Sequence, residues 1–519
     1  MDLLNKNLVI SCFSNYFEFS KGCKLKKHLM KTVYTSFLLI ITLMILGASA
    51  QAQNKQLGKI NFPNSGNKSA QADFIEGMKF LHNFEYADAA RAFQRAQEKD
   101  PDFVMAYYGE AKSHNHPIWM QQDRVAAMGI LSKLGETVDE RQEKASTQRE
   151  KDLLMSLEVL YGNTDETQGL SKEERDDLYM EYMADLHEKY PDDHEITAFY
   201  GLSILGTAHE GRDFAIYMEA AAELFDVWNA NPEHPGAAHY LIHSFDDPIH
   251  APLGLPMAKA YSEIAPSAAH AQHMTSHIFL ALGMWGETID ANIVARDVQQ
   301  TRQKELDERM TVCGHYPWWL EYGYVQFGQD EKARQVLQNC YDRIKREPTA
   351  SEKWHFSVMR GHYIVGTELW AAAEEWSADY ESGNRNGLNY FFTSALAAIK
   401  MGDPEKARQN LDQIMQIPEN PDRNIQMNQI KSLLLIDEGN QEEGLDLLKE
   451  TVVMEAELPI DFGPPTIVKP SYELLGDVLM DMGEYEQAFE AYKKQLERTP
   501  DRRRSVLGLG KARGMMASR

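Results

Sequence analysis

Seven of the chain's 17 histidines fall between residues 234 and 277: His234, His239, His243, His250, His270, His273 and His277. His239 and His243 stand four residues apart, as do His273 and His277, and His270 precedes His273 by three. On a helix each pair shares one face. Two imidazoles so placed chelate a transition ion such as Zn, Cu or Fe when a neighbouring helix supplies a third nitrogen. His239, His243, His273 and His277 are therefore the candidate metal ligands. His209, Arg212, Asp246, Asp247 and His270 are candidates to line the same groove, because each lies within about one helical turn of the ladder or in step with it. The H-E-x-x-H arrangement of a zinc protease is absent, and no Ser-His-Asp or Cys-His nucleophile stands out. The residue types leave the question of an enzyme open.

Two other readings of the same histidines stay beside coordination. Imidazoles along a helical groove also bind peptides or small polar ligands without metal, and buried ones serve as hydrogen-bonded parts of a core. Convergence of three ring nitrogens favours metal, and side chains splayed along an open groove favour a peptide.

The elements that must carry these residues are set by a repeat. His209 to His243, His239 to His273 and His243 to His277 are each 34 residues. Residues 73–101 place Gly77 and Phe80 before a turn, then Ala89, Phe93, Ala96 and Pro101. Near the C-terminus Gly476, Leu479, Ala488, Tyr492 and Pro500 repeat that spacing. Small residues allow two antiparallel helices to approach, an aromatic fills the groove between them, and proline closes the second helix. Turn residues at Gly211, Gly283, Gly328, Gly402 and Gly439 continue the punctuation between. The pattern predicts roughly ten to twelve helical hairpins and no strand. Three interruptions are expected: at 246–252 (DDPIHAP), around Trp354 and Trp370, and at 460–465 (IDFGPP), the last either a rigid insertion or a lid on the groove.

This spacing resembles the tetratricopeptide repeat (TPR), over most of residues 73–515 and best at the two ends. The runs at 234–255 (HPGAAHYLIHSFDDPIHAPLGL) and 462–477 (FGPPTIVKPSYELLGD) resemble those of an exported bacterial subfamily of such proteins. The resemblance implies an all-α, right-handed superhelical solenoid whose first helices line a concave, partner-binding surface. It implies no reaction. Positions in step with a 34-residue period then stack into a ladder on adjacent helices.

Composition sets the remaining bounds. The 519 residues carry a net charge of -25, and Lys24, Lys26, Lys27 and Lys31 concentrate positive charge near the N-terminus. So acidic a remainder repels phosphate backbones, and nucleic acid is not expected as a partner. Those lysines precede a short apolar run at 37–46 and the small residues Gly47, Ala48, Ser49 and Ala50, the pattern of a secretory signal with Met30 an alternative start. An exported protein of the periplasm or cell envelope is expected, attached to membrane only if the signal is retained. The expected division is 1–50 signal, 51–72 linker, 73–300 a first repeat array with the histidine site, and 301–519 a second. Beyond the signal only Cys313 and Cys340 remain, placed on one hairpin about Gly328, either as a disulfide or as two buried thiols. The sequence favours a solenoid that binds a protein, peptide or small ligand in its groove, with a metal-binding protein or metal-dependent enzyme as the alternative.

Overall fold

A computed structural model describes residues 55–518, so the signal expected at 1–50, and the choice of Met30 as its start, lie outside the described residues. Among the described residues there are 23 α-helices, and the only strand pairing is a two-residue ladder, Asn115–His116 with Gln121–Gln122. Among the described residues no helix is long and apolar enough to cross a membrane. The helices follow one another as antiparallel hairpins, making an all-α solenoid of the expected kind.

The end repeats show why those residue types recur. The Phe93 ring lies between Gly77 and Gly109, where a Cβ would come within 2.7 and 2.3 Å of it. At the other end Tyr492 lies between Gly476 and Gly508, where the corresponding distances are 2.6 and 2.3 Å. In both units one aromatic ring is the spacer between consecutive hairpins, and only glycine lets the helices close on it.

The described residues from Gln56 onward form one compact unit. The stretch expected as a linker packs against the solenoid from Leu57 onward: Leu57 and Phe62 are buried, and the Lys59 amide donates to the Glu233 carbonyl. The apolar core divides near residue 280, with one part from Leu57 to Ala281 and a second from Leu280 to Val478. Of the expected interruptions, the one around Trp354 is displaced. Residues Ala350–Thr367 form an unbroken helix, and the irregular stretch follows it through two short 3-10 turns, Trp370–Glu374 and Arg385–Gly387.

Cys313 and Cys340 are joined as a disulfide, with Cα atoms 4.4 Å apart. Cys340 sits on the helix Asp330–Ile344 as expected, but Cys313 lies just before the helix His315–Phe327 rather than on it. The bond therefore ties down the residue two positions ahead of His315.

The solenoid closes on its own middle. The first hairpin reaches helices far along the chain: the His239 ring meets the His82 carbonyl, the His270 amide donates to Glu85, and Arg302 pairs with Asp88. From the other side the 460–465 segment lies over the central helices. Phe462 stacks on Arg212, Gly463 abuts the Trp319 ring, and the Pro465 carbonyl meets His362. The concave face is filled by the chain itself where the histidines stand.

Candidate metal centre

Three first helices carry the site: Pro235–Phe245, Ala269–Ala281 and His315–Phe327. Every residue of the first two is buried, as in helices enclosed by neighbours on all sides. His239, His243, His270, His273 and His277 are at most 7% exposed, while His315 keeps an exposed side.

The rings gather as two triads. His239, His243 and His270 form one, and His273, His277 and His315 the other, with candidate ligand atoms inside each lying within 4.8 Å of one another. Each triad joins an i, i+4 pair on one helix to a single histidine from the next. In the second, the His273 Nε2 is 3.1 Å from the His277 Nε2 and 2.9 Å from the His315 Nε2. Nitrogens bound ~2.0–2.1 Å from a tetrahedral ion stand about 3.3 Å apart, so these three are already close to the spacing that an ion requires.

The opposite edges of the rings are anchored. The His277 Nδ1 meets the Asp246 carboxylate at 2.5 Å, the His273 Nδ1 meets the Asn292 amide oxygen at 2.8 Å, and the His239 Nδ1 meets the His82 carbonyl at 2.8 Å. Each acceptor keeps the proton on Nδ1 and turns the Nε2 lone pair inward, which is how outer partners hold metal-binding imidazoles. Facing inward, the Nε2 atoms of His239 and His270 and both ring nitrogens of His243 are buried without a hydrogen-bond partner. Buried polar atoms are rarely left so, and four in one cluster mark a place where a bound ion with its own ligands would supply the missing partners.

Protonation works in the same direction. Burial pushes His239 down to about 3. Burial first, and neighbouring imidazoles second, push His243, His270 and His273 well below the ordinary imidazole value. Neutral imidazole is the form that ligates.

Around the first triad stand residues that the repeat pattern does not single out. Phe84 lies in the turn of the first hairpin with φ 54°, a left-handed backbone that a bulky residue seldom adopts. Its ring centroid is 4.2 Å from His239, 5.9 Å from His243 and 5.8 Å from His270. The strain is held where the turn docks on the triad. Trp319 covers the second triad, 4.6 Å from His273 and 4.4 Å from His277.

The remaining expected residues are distributed as follows. The four expected ligands do not form one group of four: His239 and His243 belong to the first triad, His273 and His277 to the second. His270, expected in the groove lining, completes the first triad, and His315 completes the second. His209 stands apart from both. The helix His194–Leu205 ends before it, so its 34-residue offset is not a structural register, and its Nε2 meets Asp177 instead. Asp246 is the anchor of His277. Asp247 accepts from the His250 ring and closes a turn through the amides of Ile249 and His250. The Arg212 side chain is 1% exposed, 3.9 Å from Asp246 and 3.6 Å from Asp247, and lies over the Tyr217 and Phe462 rings.

A third cluster, His82, Glu195 and His234, differs in kind. His82 is already bonded at both nitrogens, to Tyr240 and Glu195, and the His234 Nδ1 caps its own helix by accepting from the Ala237 amide. The His234 Nε2 lies 3.3 Å from the Glu195 carboxylate, so the cluster is paired within itself, and its work at the site is to fix the His82 carbonyl that orients His239. Its pairing spans more than a hundred residues, a separation at which no local spacing could signal it.

Residues 470–502 match the tetratricopeptide repeat family. They coincide with the hairpin closed on Tyr492, whose architecture recurs along the described chain. That segment is a tetratricopeptide repeat. Comparison with curated protein sequences finds no match. Among solved structures, the chain is similar to the APC/C hetero-tetramer Cut9-Hcn1 at 11% identity, with 92% of this chain and 82% of that one covered and a TM-score of 0.34. It is similar to yeast Tom70 at 10% identity, covering 87% and 96%, with a TM-score of 0.34. It is also similar to human IFIT1, solved as a dimer with PPP-AAAA, at 10% identity, covering 88% and 96%, with a TM-score of 0.35. TPR solenoids in general present surfaces for protein contact; in this one the middle of the concave face is occupied by its own histidines and the segments that cover them.

Proposed function

We propose that this protein is an exported, metal-dependent TPR protein that holds transition-metal ions with histidine alone, at His239, His243 and His270 and at His273, His277 and His315. The observation that carries this reading is the convergence of the three Nε2 atoms of His273, His277 and His315, two of whose rings are anchored from behind by Asn292 and Asp246. Nitrogen-only, neutral sites suit Zn, Cu or Fe rather than Mg or Ca. Fewer than four protein ligands leave a coordination position open, and the exposed side of His315 lets solvent or a small substrate approach it. Open positions of this kind serve catalysis rather than folding alone. The burial of the other rings counts against an open peptide groove at this place.

Export is supported by the basic, apolar and small-residue order at the N-terminus and by the Cys313–Cys340 bond, which belongs in an oxidising compartment. The reading is tested by diffraction from crystals soaked in Zn(II) or Cu(II), with data collected on both sides of the metal absorption edge. Anomalous peaks at the two triads support it; peaks only at surface carboxylates, with the triads empty, overturn it.

A further inference from the structure

The two triads are neighbours within a single cluster. Within a triad, ring centroids lie 4.5 Å (His273 to His315) to 5.0 Å (His239 to His270) apart for the pairs that touch. Between triads the distances are hardly longer: 5.9 Å from His243 to His277, and 6.0 Å from His270 to His273. Both crossings follow from the fold. His270 and His273 are one turn apart on the same helix, and His243 and His277 occupy equivalent positions on successive first helices. The helix Ala269–Ala281 thus gives ligands to both sides.

Charge decides what such an arrangement requires. Six neutral imidazoles contribute no negative charge. Asp246 and Asp247, the carboxylates behind them, already face the Arg212 guanidinium, and Glu85 is engaged by the His270 amide. Two cations a few ångströms apart in a low-dielectric interior repel by many kcal/mol unless an anion lies between them. No side chain of this cluster supplies one, so the anion must come from solution.

Resting on the metal reading above, we infer that the six histidines form one dinuclear centre, three to each ion, that takes a small bridging oxygen-donor anion. Hydroxide, formed from water with its proton released to solvent, is the simplest occupant, and substrates of the site are small molecules that replace that bridge or are attacked by it. Two-metal centres of this kind act by sharing one oxygen between both ions. The unpartnered nitrogens of His243, which stands between its own triad and His277, fit this placement.

The test is a titration of the metal-free, full mature chain with Cu(II), followed by electron paramagnetic resonance with spin counting. The first equivalent is expected to give a full signal. At two equivalents the integrated spin should fall to less than half of the copper present, because a shared bridge couples the two ions, and azide as a bridging probe should reduce it further. The variant His270→Ala breaks one triad and should restore one full spin per bound copper; the wild-type spin count decides the matter even if that variant folds poorly. Two equivalents bound with two full, independent spins would overturn the pair while leaving two separate sites, and a single equivalent would overturn it too. No bound copper at all would overturn the metal reading itself.

Discussion

The carboxylate of Asp246 lies 2.5 Å from the Nδ1 of His277, although the two belong to different helical hairpins. A proton held on Nδ1 forces the lone pair of His277 onto Nε2, where it meets His273 at 3.1 Å. The insertion at 246–252 is therefore tied to the candidate metal centre as well as interrupting the repeat.

Replacing Asp246 by asparagine keeps the shape and removes the charge. The expected result is a 10–100-fold loss of metal affinity, the usual cost of removing an outer partner, with the helical content unchanged. Competition with a chromophoric chelator measures it, and an affinity equal to wild type would detach Asp246 from the site.

The disulfide should act on the same centre from the other side. Cys313→Ser with Cys340→Ser removes a bond closing a 27-residue separation and should cost about 2–4 kcal/mol in urea unfolding. Because Cys313 precedes His315 by two residues, the double variant should also weaken metal at the His315 triad more than at the His239 triad. Equal weakening at both, or none, would separate the bond from the site.

The 460–465 cover depends on one glycine. Gly463 has φ 135°, and a Cβ there would lie 2.2 Å from the Trp319 Cζ2. Gly463→Ala should destabilise the fold by about 1–3 kcal/mol through overpacking and backbone strain, and shift tryptophan fluorescence as the cover lifts from Trp319. An unshifted spectrum at unchanged stability would show that the segment does not seat there.

Acid stability should depend on a network outside the two triads. Glu473 receives Arg502 at 2.8 Å and Lys469 at 3.1 Å. Burial opposes its ionisation, but Arg502 and then Lys469 outweigh it and hold the carboxyl well below the usual range. With the folded value depressed, this stabilisation is present above the unfolded pKa of about 4.3 and is lost as pH falls through and below it. Glu473→Gln should cost about 3–5 kcal/mol at pH 7 by leaving Arg502 buried and uncompensated. Its deficit in urea midpoint should narrow towards pH 3; a deficit that stays constant with pH would contradict the assignment.

The solenoid was legible in the sequence because its determinants are local. Phe93 and Tyr492 each need small residues at fixed offsets, and those offsets survive at both ends of the chain. The i, i+4 histidine pairs were legible for the same reason. Their partners were less so. His270 lies 31 residues after His239 because it stands one turn ahead of His273 on the same helix, and His315 lies 42 after His273 because the stretch before Cys313 lengthens the way to the next first helix. His209 failed in the opposite sense, since its offset fits the period while its helix stops short. Phe84, Glu85 and the His82 carbonyl reach the site only because the first hairpin folds back on the middle of the solenoid, and no spacing within one repeat carries that information.

Elemental analysis reads whether the histidine cluster holds metal without any intermediate probe. The protein should be purified without a histidine tag or chelating column, under both aerobic and anaerobic conditions, beside the His243→Ala, His277→Ala double variant. A transition metal is expected at two ions per chain in the wild type, lost in the variant while the helical circular dichroism is retained. Wild-type protein that carries no metal under either preparation, and takes up none from added Zn(II) or Cu(II), would contradict it.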